Sequence, residues 1–343
     1  MKLFETMATM GHEEVVMCSD PSCGYRGILA VHSTKLGPAL GGTRFWNYTS
    51  DEEAITDALR LSRGMTYKNA VAGLDLGGGK SIIIGDNRTK DRERIFRAHG
   101  RFVESLGGRY ITAEDVGTST SDMDFVHMET GYVAGLAGKS GDPSPVTAHG
   151  VFRAIQASAK HCWGSDSLEG KTMSIQGCGH VGQHLAKELH EAGARLIVTD
   201  IDASRAKQVA SLTGAKIVEG DAIYSADAQL FAPCALGGII NDKTIPMLKV
   251  EIIAGAANNQ LLEERHGDKL RERGILYAPD YVANAGGVIN VYGEVSGWDA
   301  QRALDKADDI YDTILKVFDL AKDAGIPTYL AADRLAEQRL AAA

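Results

Sequence analysis

The stretch Lys171 to Asp202, KTMSIQGCGHVGQHLAKELHEAGARLIVTDID, decides how this chain folds. It opens on a short apolar run, passes through Gly177-x-Gly179-x-x-Gly182, continues with apolar residues at helical spacing, and ends on a second apolar run closed by Asp200. Strand, glycine turn, helix, strand and carboxylate, in that order, form the context in which such a glycine triplet binds a dinucleotide. Gly177 permits a tight turn, Gly179 lets a pyrophosphate approach the backbone, and Gly182 lets the helix lie against the sheet. His180 and Val181 open the helix, whose N-H groups and partial positive charge suit phosphates. Asp200 stands 23 residues beyond Gly177. It suits a ribose diol and repels a 2'-phosphate, which favours NAD over NADP.

The same alternation continues downstream. AKIV, QLFAPC, EIIAGAAN and ILYAPD read as strands of a parallel sheet, each ending in residues small or polar enough to meet a cofactor. Cys234 and Ala235 follow the second of these runs, and Asn258 and Asn259 the third. NAGGVINVYGE, which Asn284 opens, the long pattern from Asp299 to Ala324, and IPTYLAADRLAEQRL read as helices. Upstream, the richest breaker cluster, GKSGDPSP, precedes a helical pattern from Val146 to Trp163, and a hinge between domains is expected there. The expected fold is α/β in two domains with an active-site cleft between them. Residues 1–145 form an N-terminal α/β substrate and oligomerisation domain, and 146–324 a Rossmann-type NAD-binding domain. A last helix within 325–343 packs back on the first.

Within 1–145, residues 14–19 and 27–32 read as a pair of strands, and TKLGPALGGTRFW as an irregular loop leading to an edge strand. Ser50 and Glu53 make a capping box, after which Ala54, Ala58, Leu61 and Met65 share a helical face. Residues 91–106 form a second helix stopped by Gly107 and Gly108, and RYITAED is a strand with Asp115 just past its end. Between them, Met65 to Lys80 (MTYKNAVAGLDLGGGK) carries Lys68 at the close of a helix and Lys80 after a glycine turn. Three glycines let backbone and substrate approach with no Cβ in the way. A phosphate-binding P-loop is set aside, because Leu74 stands where that motif needs glycine and the order here is helix, loop, strand.

Composition sets the class. The chain has 343 residues, 44% of them hydrophobic and 24% charged, with a net charge of -9. That describes a globular chain with room for two domains and argues against nucleic acid or an anionic membrane as partner. Five scattered cysteines show no metal-ligand or disulfide spacing, so a reducing cytoplasm and no metal are expected. The N-terminus has no apolar core of a signal peptide, and no apolar run is long enough to span a membrane.

Both lysines, Asp115 and the segments LGPALGGTRFW, GRYITAEDVGT, PSPVTAHGV, FAPCALGG, AGAANNQ and YAPDYVANAGGVINV are together very specific. They resemble the glutamate, leucine, phenylalanine and valine dehydrogenase superfamily nearly end to end, in wording nearest its leucine branch. The resemblance implies NAD-dependent oxidative deamination of a branched-chain L-amino acid, and an even-numbered homo-oligomer built through the N-terminal domain. Carried over by position, Lys68 and Asn284 hold the substrate carboxylate, Lys80 activates water, and Asp115 moves protons at the amino nitrogen. Thr147 contacts the nicotinamide amide, and Gly41 and Gly42 lie against the substrate backbone. Leu40, Met65, Ala113, Ala134, Val288 and Val291 form an apolar side-chain pocket, which excludes glutamate because a buried unpaired carboxylate is costly. A phenylalanine or tryptophan enzyme of the same superfamily is the nearest alternative. A nucleotide-binding sensor without turnover is opposed by the presence of Lys80 and Asp115.

Overall fold

The computed structural model describes residues 2–139 and 141–343; Met1 and Ser140, the latter inside GKSGDPSP, lie outside the described residues. It divides into two compact units. One runs to Gly141 and includes Glu294–Gly297 and Ala336–Ala343; the other comprises Asp142–Gly293 and Trp298–Leu335. Among the described residues no helix is long and apolar enough to cross a membrane.

The first unit begins with α1 (Leu3–Met10), β1 (Glu14–Asp20), β2 (Tyr25–Ser33) and β3 (Ala39–Trp46). It continues with α2 (Asp51–Val71), β4 (Gly77–Ile84), α3 (Arg92–Ser105), β5 (Tyr110–Glu114) and α4 (Thr120–His127). The strands lie in the order β1-β2-β4-β3-β5. Contrary to the expected edge strand after a loop, β3 is interior and pairs in parallel with both β4 and β5. Its glycines mark close backbone approach. A Cβ on Gly41 would lie 1.7 Å from the Gly79 carbonyl oxygen, and one on Gly42 2.3 Å from that of Glu114. The expected turn at Gly77–Gly79 is likewise strand. There a Cβ on Gly78 would come within 2.0 Å of the Thr66 nitrogen on α2, and one on Gly79 within 2.5 Å of the Tyr110 ring.

Two faces of this sheet are covered by different helices. On one, Ile28, Ala30, Ile82 and Ile84 pack with Ala54 and Ala58 of α2. The α2 stripe runs on through buried Leu59, Ser62 and Thr66, while Leu61 and Met65, expected on that face, are only half-buried. At its start Ser50 accepts from the Glu53 N-H at 3.1 Å, but Glu53 reaches the Thr49 N-H at 2.9 Å instead of Ser50, so the box is displaced by one residue.

On the other face, Leu29, Val31, Phe45, Ile83 and Tyr110 pack with Phe96 and Val103 of α3 around a polar knot. Thr43 Oγ1 meets Ser81 Oγ at 2.8 Å, Thr112 Oγ1 at 2.5 Å and His99 Nε2 at 3.0 Å, and Tyr25 Oη meets His99 Nδ1 at 2.9 Å. Burial drives the His99 imidazolium down from 6.5 to about 3. An unfolded histidine therefore takes its proton at a higher pH than the folded one. The stability gained by keeping His99 neutral is complete above pH 6.5 and is lost as pH falls toward 3, about 2 kcal/mol of it by pH 5. His99→Gln is expected to narrow the gap between unfolding midpoints at pH 7 and pH 5; an unchanged gap would remove His99 from the acid response. Part of the gap persists in the variant, because His32 is also lowered by burial, to about 4.

The second unit starts with α5 (Ser144–Trp163), β6 (Thr172–Gln176), α6 (His180–Glu191), β7 (Arg195–Thr199), α7 (Ala203–Thr213) and β8 (Lys216–Ile217). There follow β9 (Leu230–Pro233), β10 (Ile252–Ile253), α8 (Arg265–Glu272), β11 (Leu276–Tyr277), α9 (Asp280–Ala283) and α10 (Gly286–Val295). The chain ends with α11 (Ala300–Asp308), α12 (Ile310–Ala324) and α13 (Thr328–Ala342). The sheet order is β11-β10-β9-β6-β7-β8, all parallel, the doubly wound arrangement of a dinucleotide-binding domain. The long pattern from Asp299 is two helices. Between them the Asp309 N-H turns back to the Lys306 carbonyl at 3.3 Å, tightening the chain.

Candidate active site

Strand alternation assembles the first half of the site. In β3 it places Leu40, Gly42 and Arg44 on the face that α2 covers, since Thr43 and Phe45 point to the α3 side. In β4 it turns Lys80 the same way as Ile82, and in β5 it groups Ala113 with Asp115. Lys80 is 5% exposed, and its Nζ lies 2.8 Å from Asp115 Oδ2. Arg44 Nε donates to the same oxygen at 2.9 Å, while Arg44 Nη1 donates to Asp57 Oδ2 at 2.8 Å. Tyr48 Oη donates to Asp57 Oδ2 at 2.7 Å, and Arg60 Nη2 to Asp57 Oδ1 at 2.9 Å. Thr118 holds the Asp115 backbone, accepting from its N-H at 2.9 Å and donating to its carbonyl at 2.8 Å.

Burial lowers the Lys80 ammonium below its ordinary value, against the pull of Asp115, and Arg44 lowers it further. Burial opposes ionisation of Asp115, but Lys80 and then Arg44 outweigh it and hold the carboxyl below the usual range. The result is an ionised carboxylate beside an amine that burial biases toward its neutral form. A neutral lysine and a carboxylate on one apolar face can take protons from water and from a substrate nitrogen.

The other expected residues of the first unit differ in burial. Leu40, Ala113 and Ala134 are buried, and Met65 and Lys68 half-buried on α2. Gly42 abuts Asp115, where an added Cβ would come within 2.8 Å of the aspartate's own, whereas Gly41 abuts the β4 backbone. Arg44 and Asp57 were not expected. A lone arginine between Thr43 and Phe45 in a run that alternates as strand was the available signal.

In the second unit, Gly177 has φ +101, a conformation that favours glycine, and an added Cβ would lie 2.9 Å from the Ala235 Cβ and the Cys234 backbone. A Cβ on Gly182 would lie 2.0 Å from the Gly177 carbonyl oxygen, while Gly179 faces open space. This is a cradle whose one open position is where a pyrophosphate needs it. His180 is exposed and Val181 half-buried at the start of α6. Asp200 follows β7 and accepts from the Cys178 N-H at 2.6 Å and the Asp202 N-H at 2.7 Å, tying it to the glycine loop. Desolvation pushes the Cys234 thiol up to about 12.

Thr147 near the start of α5 faces α10, where a Cβ on Gly287 would lie 3.0 Å from its Oγ1. Asn284, 5% exposed, donates from Nδ2 to the Ala256 carbonyl at 3.0 Å and to Asn258 Oδ1 at 2.8 Å. Its buried Oδ1 has no partner among the described residues. Its donor is thus filled and its acceptor open, whereas a carboxylate ligand would need the donor. Asn259 has φ 51, the one left-handed non-glycine among the described residues. Val288 is buried and Val291 half-buried on α10.

Comparison with known proteins agrees with this construction. Residues 12–132 match the Glu/Leu/Phe/Val dehydrogenase dimerisation domain, and 138–204 and 197–343 match the Glutamate/Leucine/Phenylalanine/Valine dehydrogenase domain. The chain is 58% identical over 343 residues to leucine dehydrogenase of Thermoactinomyces intermedius, covering 99% of this chain and 94% of that protein. It is 50% identical to L-tryptophan dehydrogenase of Nostoc punctiforme, covering 99% and 96%. The crystal structure of L-tryptophan dehydrogenase from Nostoc punctiforme superposes with a TM-score of 0.91 at 48% identity, covering 98% of both chains. With a dinucleotide cradle in one unit, a buried lysine and carboxylate in the other, and both family domains matched along the chain, this protein belongs to the glutamate/leucine/phenylalanine/valine dehydrogenase family and is an amino-acid dehydrogenase.

Proposed function

We propose that the chain converts L-leucine, and also isoleucine and valine, with NAD+ and water into the 2-oxo acid, ammonium, NADH and a proton, reversibly. The observation that carries this reading is the buried Lys80 beside ionised Asp115 on a face shared with Leu40 and Ala113. NAD+ supplies the hydride acceptor, held by the loop from Gly177 to Gly182 with Asp200 on the ribose. Loss of hydride from Cα leaves an iminium that water must attack, and neutral Lys80 takes the proton of that water. Asp115 takes and returns protons at the amino nitrogen. Lys68 offers its cation to the substrate carboxylate, and the open Asn284 Oδ1 accepts an N-H of the bound reactants, a role differing from the carboxylate contact that the resemblance implies.

Leu40, Met65, Ala113 and Ala134 of the first unit and Val288 and Val291 of the second are all apolar, so none of them can pair with a glutamate carboxylate, and one methylene is worth only about 1 to 3 kcal/mol of discrimination among branched side chains. Arg205, five residues after Asp200, is paired with Asp202 at 3.5 Å, which supports NAD over NADP at the acidic ribose site. Initial rates of nicotinamide reduction on a panel of L-amino acids, with NAD+ and NADP+, test all of this. Leucine, isoleucine and valine with NAD+ should dominate, by about 100-fold or more over glutamate or NADP+. A faster rate with phenylalanine or tryptophan would transfer the pocket to the aromatic reading. The same reading includes a homo-oligomer built through the first unit, supported by the dimerisation-domain match and checked by light scattering.

A further inference from the structure

We infer that Arg44 is a positioning residue for this reaction, fixing the rotation of Asp115 so that one carboxylate oxygen serves Lys80 while the other stays open to the substrate nitrogen. The inference rests on the assignment of Lys80 and Asp115 made above. Lys80 Nζ and Arg44 Nε converge on Oδ2 at 2.8 and 2.9 Å, and Oδ1 accepts no hydrogen bond among the described residues. A carboxylate on a freely rotating side chain would exchange its two oxygens. The planar guanidinium prevents this because its two edges are committed to different partners, Asp115 on one and Asp57 on the other. Asp57 is itself anchored by Tyr48 and Arg60, so the fork is held from the side away from the chemistry.

The far side of Arg44 is accessible. A cavity of about 500 Å3 lies there, lined by Arg44 with Trp46, Tyr48, Thr56, Asp57 and Arg60. A small planar cation can therefore enter the space that a truncated Arg44 leaves. Arg44 also adds positive charge beside Lys80. The charged groups around it are Lys80 on β4, Asp115 after β5 and Asp57 and Arg60 on α2, with Glu52 and Glu53 at the cavity rim. Removing it raises the pH at which Lys80 becomes neutral.

The test uses the full-length enzyme. Arg44→Ala should lower kcat about 100-fold with KM for NAD+ little changed. The acid limb of its pH profile should move to higher pH, and millimolar methylguanidinium, but not methylammonium, should restore at least about 10-fold of the loss. Arg44→Lys keeps the charge without the fork; it should lose about 10-fold in kcat with the acid limb unmoved, and it decides the matter should the alanine variant fail to fold. Wild-type kcat in Arg44→Lys, or a loss in Arg44→Ala with neither rescue nor a shifted limb, would overturn the inference. Asp115→Asn run in parallel separates the two readings: if it turns over normally, the assignment of Asp115 has failed, whatever Arg44 does.

Discussion

Lys80→Ala binds NAD+ as the wild type does and turns over L-leucine about 1,000-fold more slowly. The expectation follows from separation of roles: the dinucleotide cradle belongs to β6, α6 and β7 of the second unit, whereas Lys80 lies in β4 of the first. A loss of that size corresponds to about 4 kcal/mol of transition-state stabilisation, within reach of a base whose pKa burial has lowered. Lys80→Arg sharpens the test. Arginine keeps a cation beside Asp115 but stays protonated, so it should be as inactive as alanine. Substantial activity in the arginine variant would mean that charge, and not base strength, is what position 80 supplies. Titration of NAD+ binding by calorimetry and steady-state rates with leucine measure the two halves of the claim separately.

Asp115→Asn is expected to lose a comparable factor, about 1,000-fold in kcat, because the amide cannot exchange a proton with the amino nitrogen at neutral pH. Its residual activity carries a signature. Asp115 opposes the lowering of the Lys80 pKa, so its neutralisation leaves only Asp57 opposing burial and Arg44, and the ammonium loses its proton at still lower pH. The acid limb of the residual profile should therefore move down in the asparagine variant and up in Arg44→Ala. Both limbs moving the same way would contradict the charge arrangement. An asparagine variant as active as wild type would leave Asp115 with a structural role only.

Much of this architecture was legible in the residue string because the signals are local. The cradle is one contiguous stretch, and its order of apolar run, glycine triplet, helical spacing and acidic residue survives in β6, α6, β7 and Asp200. Elements less easily read failed for identifiable reasons. Glycine in a sequence signals a turn as readily as close packing, and Gly41, Gly42 and Gly77–Gly79 were packing. A short helix such as α4 carries little periodicity to detect.

The sequence by itself determined the two α/β series and the dinucleotide site, since strand alternation, helical spacing and glycine motifs act over a few residues; Lys80 and Asp115 came together as a pair only through the resemblance to the dehydrogenase superfamily. Only the tertiary structure decided that β3 is an interior strand, that Asn284 presents an open acceptor, and that Arg44 reaches Asp115 across 71 positions of chain. It also decided that Lys80 is buried, and with that the direction in which its pKa moves. Desolvation is a property of everything packed around a group, and those neighbours come from β3, β4, β5 and α2, segments that meet only in the fold.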